Sequence, residues 1–312
     1  MKYYGKIIDG HAHIMPQNTA SFTEPSAWDT LAVIQRGFGY DNFCVLSLEA
    51  LYPGQNDACF ALRDRTGCYV FAGLDRTRED LAGQAESLLA RGARGFKMIE
   101  GKPDACKILG EPLNSGRSGE FYNRLEGLGA PLLLHAGDPP EFWSAQTAPA
   151  FAVENGWVYE GEGFPALKEI RRQVEDIAEN FRNLKLVLAH FYFMAGDLDG
   201  AASFLDAHPN VSFDICPGTE MYVHFSKEPK LWREFFIDYS RRIIFGTDNY
   251  NVETPKDIFD KGEINRMIHH FLQTPDEFGV WDLRVRGIDL APEVLERIYF
   301  KNFCDLTSGG SV

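Results

Sequence analysis

The chain has 312 residues, of which 45% are apolar, 13% aromatic and 24% charged. That is enough apolar material for a large buried core, and it excludes a disordered, collagen-like or coiled-coil chain. Asp and Glu number 45 against 31 Lys and Arg, a formal charge of −14, so no broad surface for nucleic acid or an anionic membrane is expected and an anionic substrate would need a local cation. Cys44, Cys59, Cys68, Cys106, Cys216 and Cys304 form no C-x-x-C pair. In a chain too large to need disulfide staples they read as reduced thiols of a cytoplasmic protein. The opening MKYYGKIIDGHAH lacks the apolar h-region of a signal peptide, and no apolar run approaches the roughly 18 residues of a membrane span.

Eight short apolar runs recur along the chain: KIIDGHAH from Lys6, FCVLSLE from Phe43, YVFAGLD from Tyr69, GFKMIE from Gly95, PLLLHAG from Pro131, KLVLAHF from Lys185, VSFDIC from Val211 and RIIFGTD from Arg242. Nearly continuous apolar runs suit parallel strands buried on both faces. Helical spacing of apolar residues follows between them, clearest over Glu79 to Arg91, Ala166 to Arg182 and Glu293 to Leu306. Eight alternating strand and helix units predict an α/β fold, a (β/α)8 TIM barrel with loop insertions on its C-terminal face. No linker, charge block or fixed-period repeat interrupts it, so residues 1–312 are read as one domain. The segment Asp138 to Pro165 is the longest of the insertions and carries Phe142, Trp143, Phe151, Trp157, Tyr159 and Phe164. It is either a lid and pocket wall, with Trp143 facing substrate, or a small satellite core.

The histidines fall unevenly. His11, His13, His135 and His190 close predicted strands 1, 5 and 6, and Asp248 closes strand 8, the positions that converge on the mouth of a barrel. His11 and His13, two apart on a strand, point to the same side. Three imidazoles, His11, His13 and His135, with the Asp248 carboxylate suit one catalytic divalent ion with an open position, zinc first, with iron, manganese or cobalt as alternatives. Each residue also has an ordinary reading: an isolated histidine after an apolar run is commonly a satisfied core residue, and Asp248 in GTDN fits an Asx turn. His208, His269 and His270 fall off the pattern and read as structural. His224 lies in the loop after strand 7, on the functional face.

The order IDGHAHI, GFKMIE, LLLHAGD, LVLAHF and IFGTDN, closed by PEVLERIYFKNFCDL, resembles the amidohydrolase superfamily, in the branch that holds aminocarboxymuconate-semialdehyde decarboxylase and related metal-dependent hydrolases. The resemblance covers nearly the whole chain. It implies that His11, His13, His135 and Asp248 are the metal ligands, that His190 lies beside the metal and assists the chemistry, and that the chain forms a homodimer, though no segment identifies the interface. The sequence departs from the pattern at strand 4, where many members continue the lysine with leucine, histidine and proline; here Lys97 is followed by Met-Ile-Glu-Gly. A carboxylated lysine bridging two metals belongs to binuclear branches, so Lys97 reads as a charge partner or a substrate anchor.

The expected activity is hydrolysis of a small-molecule ester, lactone or amide by metal-activated water. Asp248 would serve as proton carrier, and His190 would orient the water or polarise the carbonyl. Decarboxylation of a small carboxylic acid is the alternative, and it needs a carboxylate anchor from Arg63, Arg65, Lys97, Lys102, Lys107 or Arg117. A barrel that binds ligand or metal without turnover is the third reading.

Overall fold

The computed structural model describes residues 3–15, 25–161, 163–252 and 255–308. Nine parallel strands run in the order β8-β7-β6-β5-β4-β3-β2-β1-β9, comprising β1 (Ile8–His13), β2 (Asn42–Leu46), β3 (Tyr69–Ala72), β4 (Gly95–Gly101), β5 (Leu132–Ala136), β6 (Leu186–Leu188), β7 (Val211–Asp214), β8 (Ile243–Ile244) and β9 (Asn249–Tyr250). Sequence neighbours pair in succession from β1 to β8, the order that β-α-β crossovers build. The run read as one eighth strand is divided. Its start pairs with β7 and its end with β1, while Gly10 N–H donates to Phe245 O and Asp248 N–H to His11 O, each at 2.9 Å. One segment, residues 243–250, thus joins both edges of the curled sheet and closes the barrel.

Helices follow the strands as the apolar spacing predicts: α1 (Pro25–Gly37), α2 (Gln55–Thr66), α3 (Leu81–Ala90), then α4 (Cys106–Leu109) and α5 (Gly116–Leu128) after β4, and α6 (Ala150–Glu154) and α7 (Leu167–Asn180) after β5. They continue with α8 (Leu198–Ala207), α9 (Thr219–Phe225), α10 (Pro229–Asp238), α11 (Pro255–Gln273), α12 (Pro292–Glu296) and α13 (Asn302–Thr307), with a π-turn over Arg297–Lys301 joining the last two. Ile170, Val174, Ile177 and Ala178 form the buried face of α7 at three and four spacing. Asp80 and Asp197 cap α3 and α8 by accepting from Gly83 N–H and Gly200 N–H. A hairpin, β10 (Glu277–Val280) and β11 (Leu283–Arg286), lies outside the barrel sheet.

Inside the barrel Ile8, Cys44, Leu46, Phe71, Leu133, Val187, Ala189 and Ile244 fill the lower layers, so the interior is packed below the mouth. β1 passes very close to residues 244–246. A Cβ on Gly10 would sit 2.9 Å from Phe245 O, and one on Gly246 would sit 2.7 Å from His11 Cβ; only glycine lets the two edges meet under the site. Asp9 locks the same seam. Its buried carboxylate accepts from Thr247 N–H at 3.0 Å, Thr247 Oγ1 at 2.6 Å, Gln35 Nε2 at 2.7 Å and His11 N–H at 3.1 Å.

β6 ends earlier than its apolar run suggests. His190, Phe191, Tyr192 and Phe193 all take left-handed φ between 53° and 56°, a conformation costing L-residues roughly 1–2 kcal/mol each. Burial offsets the cost. Phe191 packs on Phe213, Phe225, Trp232 and Phe236, Tyr192 packs on Phe204, and the turn leaves His190 and Phe193 stacked at 5.4 Å on the mouth. Among the described residues no helix is long and apolar enough to cross a membrane.

Candidate metal centre

A cavity of about 460 Å³ opens at the C-terminal ends of the strands, and His11, His13, His135, His190, Asp248 and Lys97 all line it. His11 Nδ1 lies 2.7 Å from Asp214 Oδ2 and His13 Nδ1 lies 2.9 Å from Leu46 O. Both partners can only accept, so the imidazole protons sit on Nδ1 and the Nε2 lone pairs are free. Those two Nε2 atoms are 3.1 Å apart, with Asp248 Oδ1 at 3.5 Å from one and 3.8 Å from the other. Three electron-pair donors converge with no proton between them. Such a cluster calls for a cation, and neutral imidazole with carboxylate is the donor set of a divalent metal. Burial holds both histidines well below their ordinary pKa, with the Lys97 charge adding to it, which keeps them in the ligand form.

His135 lies on the same wall, its ring 4.8 Å from that of His190, but its Nε2 faces Asp138 Oδ1 at 3.3 Å. It stands outside the close trio of His11, His13 and Asp248. His190 lies two residues past the end of β6, its backbone N–H donating to Asp214 Oδ1 at 2.8 Å and its ring Nδ1 3.3 Å from Cys216 O. Asp214 thus serves two histidines from the end of β7, one oxygen each. Asp248 takes φ of 53°, and its carboxyl is pushed up to about 6 by burial, against the pull of Lys261 and Lys97. The Lys97 side chain is buried, and its ammonium has no hydrogen-bond partner among the described residues. Burial lowers its pKa, while Asp214, Cys216 and Asp248 resist that.

The family model described as amidohydrolase matches residues 8–302. The chain belongs to the amidohydrolase family. Solved structures share the fold over nearly all of both chains. A probable 2-pyrone-4,6-dicarboxylic acid hydrolase from Acinetobacter baumannii, with citric acid bound, is 13% identical and aligns over 97% of this chain and 100% of its own at a TM-score of 0.56. A TIM-barrel protein from Bordetella bronchiseptica is 13% identical, over 98% and 99%, at 0.58. The 5-carboxyvanillate decarboxylase of Novosphingobium aromaticivorans, complexed with manganese and a nitrobenzoic acid, is 12% identical, over 97% and 96%, at 0.58. No curated protein matches the chain significantly. Both hydrolases and decarboxylases therefore stand among the fold's neighbours, and this chain shares their barrel.

The wall of the cavity differs from expectation at one point. Trp143, expected to face substrate, instead donates its indole N–H to Pro165 O at 3.1 Å and packs on Tyr159 at 5.1 Å. It belongs to a satellite core with Phe142, Ala152 and Tyr159. Phe142, Phe151 and Trp157 of the same loop reach the cavity instead, so the insertion is pocket wall and satellite core at once. Of the proposed anchors, Arg117 is held by Glu111 and the carbonyls of Arg76 and Arg78, Arg63 by Asp64 and Arg91 O, and Lys107 lies over the Phe164 ring. Lys97 and Lys102 line the cavity.

Several residues around the cavity lie outside the strand-end reading. Asp214 orients His11 and His190. Cys216 Sγ lies 3.2 Å from His11 Nδ1 and from His190 Nδ1. Lys261 donates to Asp248 O at 3.2 Å and sits 3.5 Å from the Tyr250 ring centre. Glu220, on α9, lines the cavity with its carboxyl pushed up to about 7 by burial, and by Glu141 and Asp138 nearby. Asp214 and Cys216 left a trace in VSFDIC, where a carboxylate and a thiol interrupt an apolar strand. His224 lines a neighbouring cavity, its Nδ1 3.1 Å from Lys227 Nζ.

Proposed function

We propose that this amidohydrolase uses one divalent ion, zinc first, to hydrolyse an ester, lactone or amide bond of a small molecule. The observation that carries the reading is the meeting of two unprotonated Nε2 atoms and the Asp248 carboxylate at a cavity wall beside His190. His11, His13 and Asp248 would hold the ion, with His135 as the fourth donor. When bound, the ion lowers the pKa of a water towards about 7 and polarises the carbonyl. Asp248 takes the proton of the attacking water at its carboxylate and returns it to the leaving group. His190, its backbone N–H held by Asp214 and its ring Nδ1 facing Cys216 O, turns Nε2 to the substrate oxygen. Phe142, Phe151 and Trp157 offer flat apolar walls that suit a planar acyl compound and exclude water.

Lys97 supports a second reading. An unpartnered buried ammonium is costly unless a ligand satisfies it, and a substrate carboxylate would do so, which suits decarboxylation as well as hydrolysis of a carboxylated lactone. The two are separated by turnover of lactones, esters, amides and aromatic carboxylates in ¹⁸O-labelled water with CO₂ trapping. Label in the organic product is expected; CO₂ release without label rejects hydrolysis.

A further inference from the structure

The Asp138 carboxylate faces two parts of the molecule. Oδ1 lies 3.3 Å from His135 Nε2. Oδ2 pairs with Lys102 Nζ at 2.9 Å and accepts from the Tyr159 hydroxyl. Lys102 also donates to Tyr159 OH at 2.7 Å, pairs with Asp104 at 3.1 Å, and sits 4.6 Å from the Trp157 ring centre. Three stretches meet there: the end of β5, the turn after β4, and the far arm of the 138–165 loop. Tyr159 pins that arm to the loop's own first residue, and Asp138 is only 4% exposed.

His11 supplies the comparison. Its outer nitrogen is held by Asp214 while the other faces the metal centre, the arrangement by which a carboxylate fixes the tautomer and aim of a metal-binding imidazole. His135 repeats it with Asp138 as the carboxylate, which leaves Nδ1 as the free donor. Asp214, however, bonds His11 and the backbone N–H groups of His190 and Cys216, at or just past strand ends, whereas Asp138 is bonded to a loop.

We propose that Asp138 is a positioning residue that links the order of the 138–165 loop to the engagement of His135 by a metal ion, with Lys102 and Tyr159 as the clasp on the loop side. The proposal rests on the metal-centre reading above. Linkage is reciprocal: an ion that fixes His135 tightens the loop, and a loosened clasp weakens the ion. The loop carries Phe142, Phe151 and Trp157, so the pocket wall forms together with the metal centre.

The test is titration of Zn²⁺ into the chelator-stripped full chain against a competing chelator, with amide exchange of residues 150–160 as a second readout. Asp138→Asn should weaken the ion about 10–100-fold. Tyr159→Phe and Lys102→Met, whose side chains are bonded to Asp138 and not to His135, should each weaken it by about 3–10-fold, the worth of one hydrogen bond. The double variant Asp138→Asn with Tyr159→Phe should bind no more weakly than Asp138→Asn alone, because both cut one chain of contacts. Zinc should slow exchange in the loop of the wild type and leave it unchanged in Asp138→Asn. Tighter zinc binding in Asp138→Asn overturns the proposal, since Asp138 would then compete with the ion for His135. Zinc affinity unmoved by Tyr159→Phe and Lys102→Met also overturns it, and these two variants decide the matter if Asp138→Asn does not fold. A wild type that takes up no divalent ion sinks the metal centre and the linkage together; a wild type that binds zinc with an affinity those two variants leave unmoved sinks the linkage alone.

Discussion

His269 and the strand-end histidines are similarly buried, at 5% exposed against 1% for His11 and 7% for His13, yet their hydrogen bonds differ in kind. Around His269 every proton is placed. Tyr40 OH donates to Asn265 Oδ1 at 2.7 Å and lies 2.9 Å from His269 Nε2, while Tyr299 OH lies 2.8 Å from Nδ1 and accepts from Gln273 Nε2 at 3.0 Å. A neutral imidazole donates at Nε2 and accepts at Nδ1, and nothing is left over. At His11 and His13 the outer nitrogens are satisfied in the same way, but the inner ones confront each other as two lone pairs. Burial does not separate a structural histidine from a ligand. The second nitrogen does.

The comparison breaks most severely if the inner nitrogens need no ion. Asp248→Asn removes the anionic member of the trio and should reduce bound metal in chelator-free protein from about one ion per chain towards zero, with activity lost in step. His190→Asn removes an imidazole whose Nδ1 lies against Cys216 and not against the trio; activity should fall about 10² to 10⁴-fold with the metal retained. Elemental analysis beside kinetics checks both. Full metal in Asp248→Asn, or lost metal in His190→Asn, would exchange their roles.

The strand-end pattern was legible because apolar runs with a polar last residue report where buried strands reach solvent, and a barrel gathers those ends. What lay beyond the pattern depended on partners far away in the chain. Asp214 looks like any strand-end carboxylate until His11, 203 residues away, is seen against it. The left-handed turn at 190–193 carries no glycine to announce it, and its cost is carried by aromatic packing that no local window contains. The eighth strand divides because β1 and β7 each claim one end of it. Loop side chains follow no period, so which of Phe142, Trp143 and Trp157 faces the cavity could not be read from spacing.

The loop supplies a milder test of the same distinction between packing and chemistry. Trp143 touches Tyr159 and Pro165 in the satellite core, while Trp157 lines the cavity. Trp143→Ala should cost about 2–3 kcal/mol, below the full range for a buried Trp because the ring is only partly buried, with KM changed little. Chemical denaturation read beside KM decides it; a raised KM at unchanged stability would return Trp143 to the pocket wall.

The smallest expected effect sharpens the histidine comparison from its structural side. Burial lowers the His269 pKa from 6.5 to about 4. The folded chain therefore keeps this ring neutral at pH values where the unfolded chain protonates it, so the unfolded state binds more protons between about pH 6.5 and 4. Stability from His269 is complete above about pH 6.5 and is lost as the pH falls from there towards 4, roughly 2 kcal/mol by pH 5. His269→Gln keeps a donor and an acceptor for the two tyrosines but cannot take up the proton. Metal-replete protein is the right background, because a bound ion shields His11 and His13 from protonation while leaving His269 untouched. Under those conditions the fall in Tm between pH 7 and pH 5 should shrink in His269→Gln. An unchanged fall would mean that His269 does not carry the acid sensitivity its closed hydrogen-bond account requires.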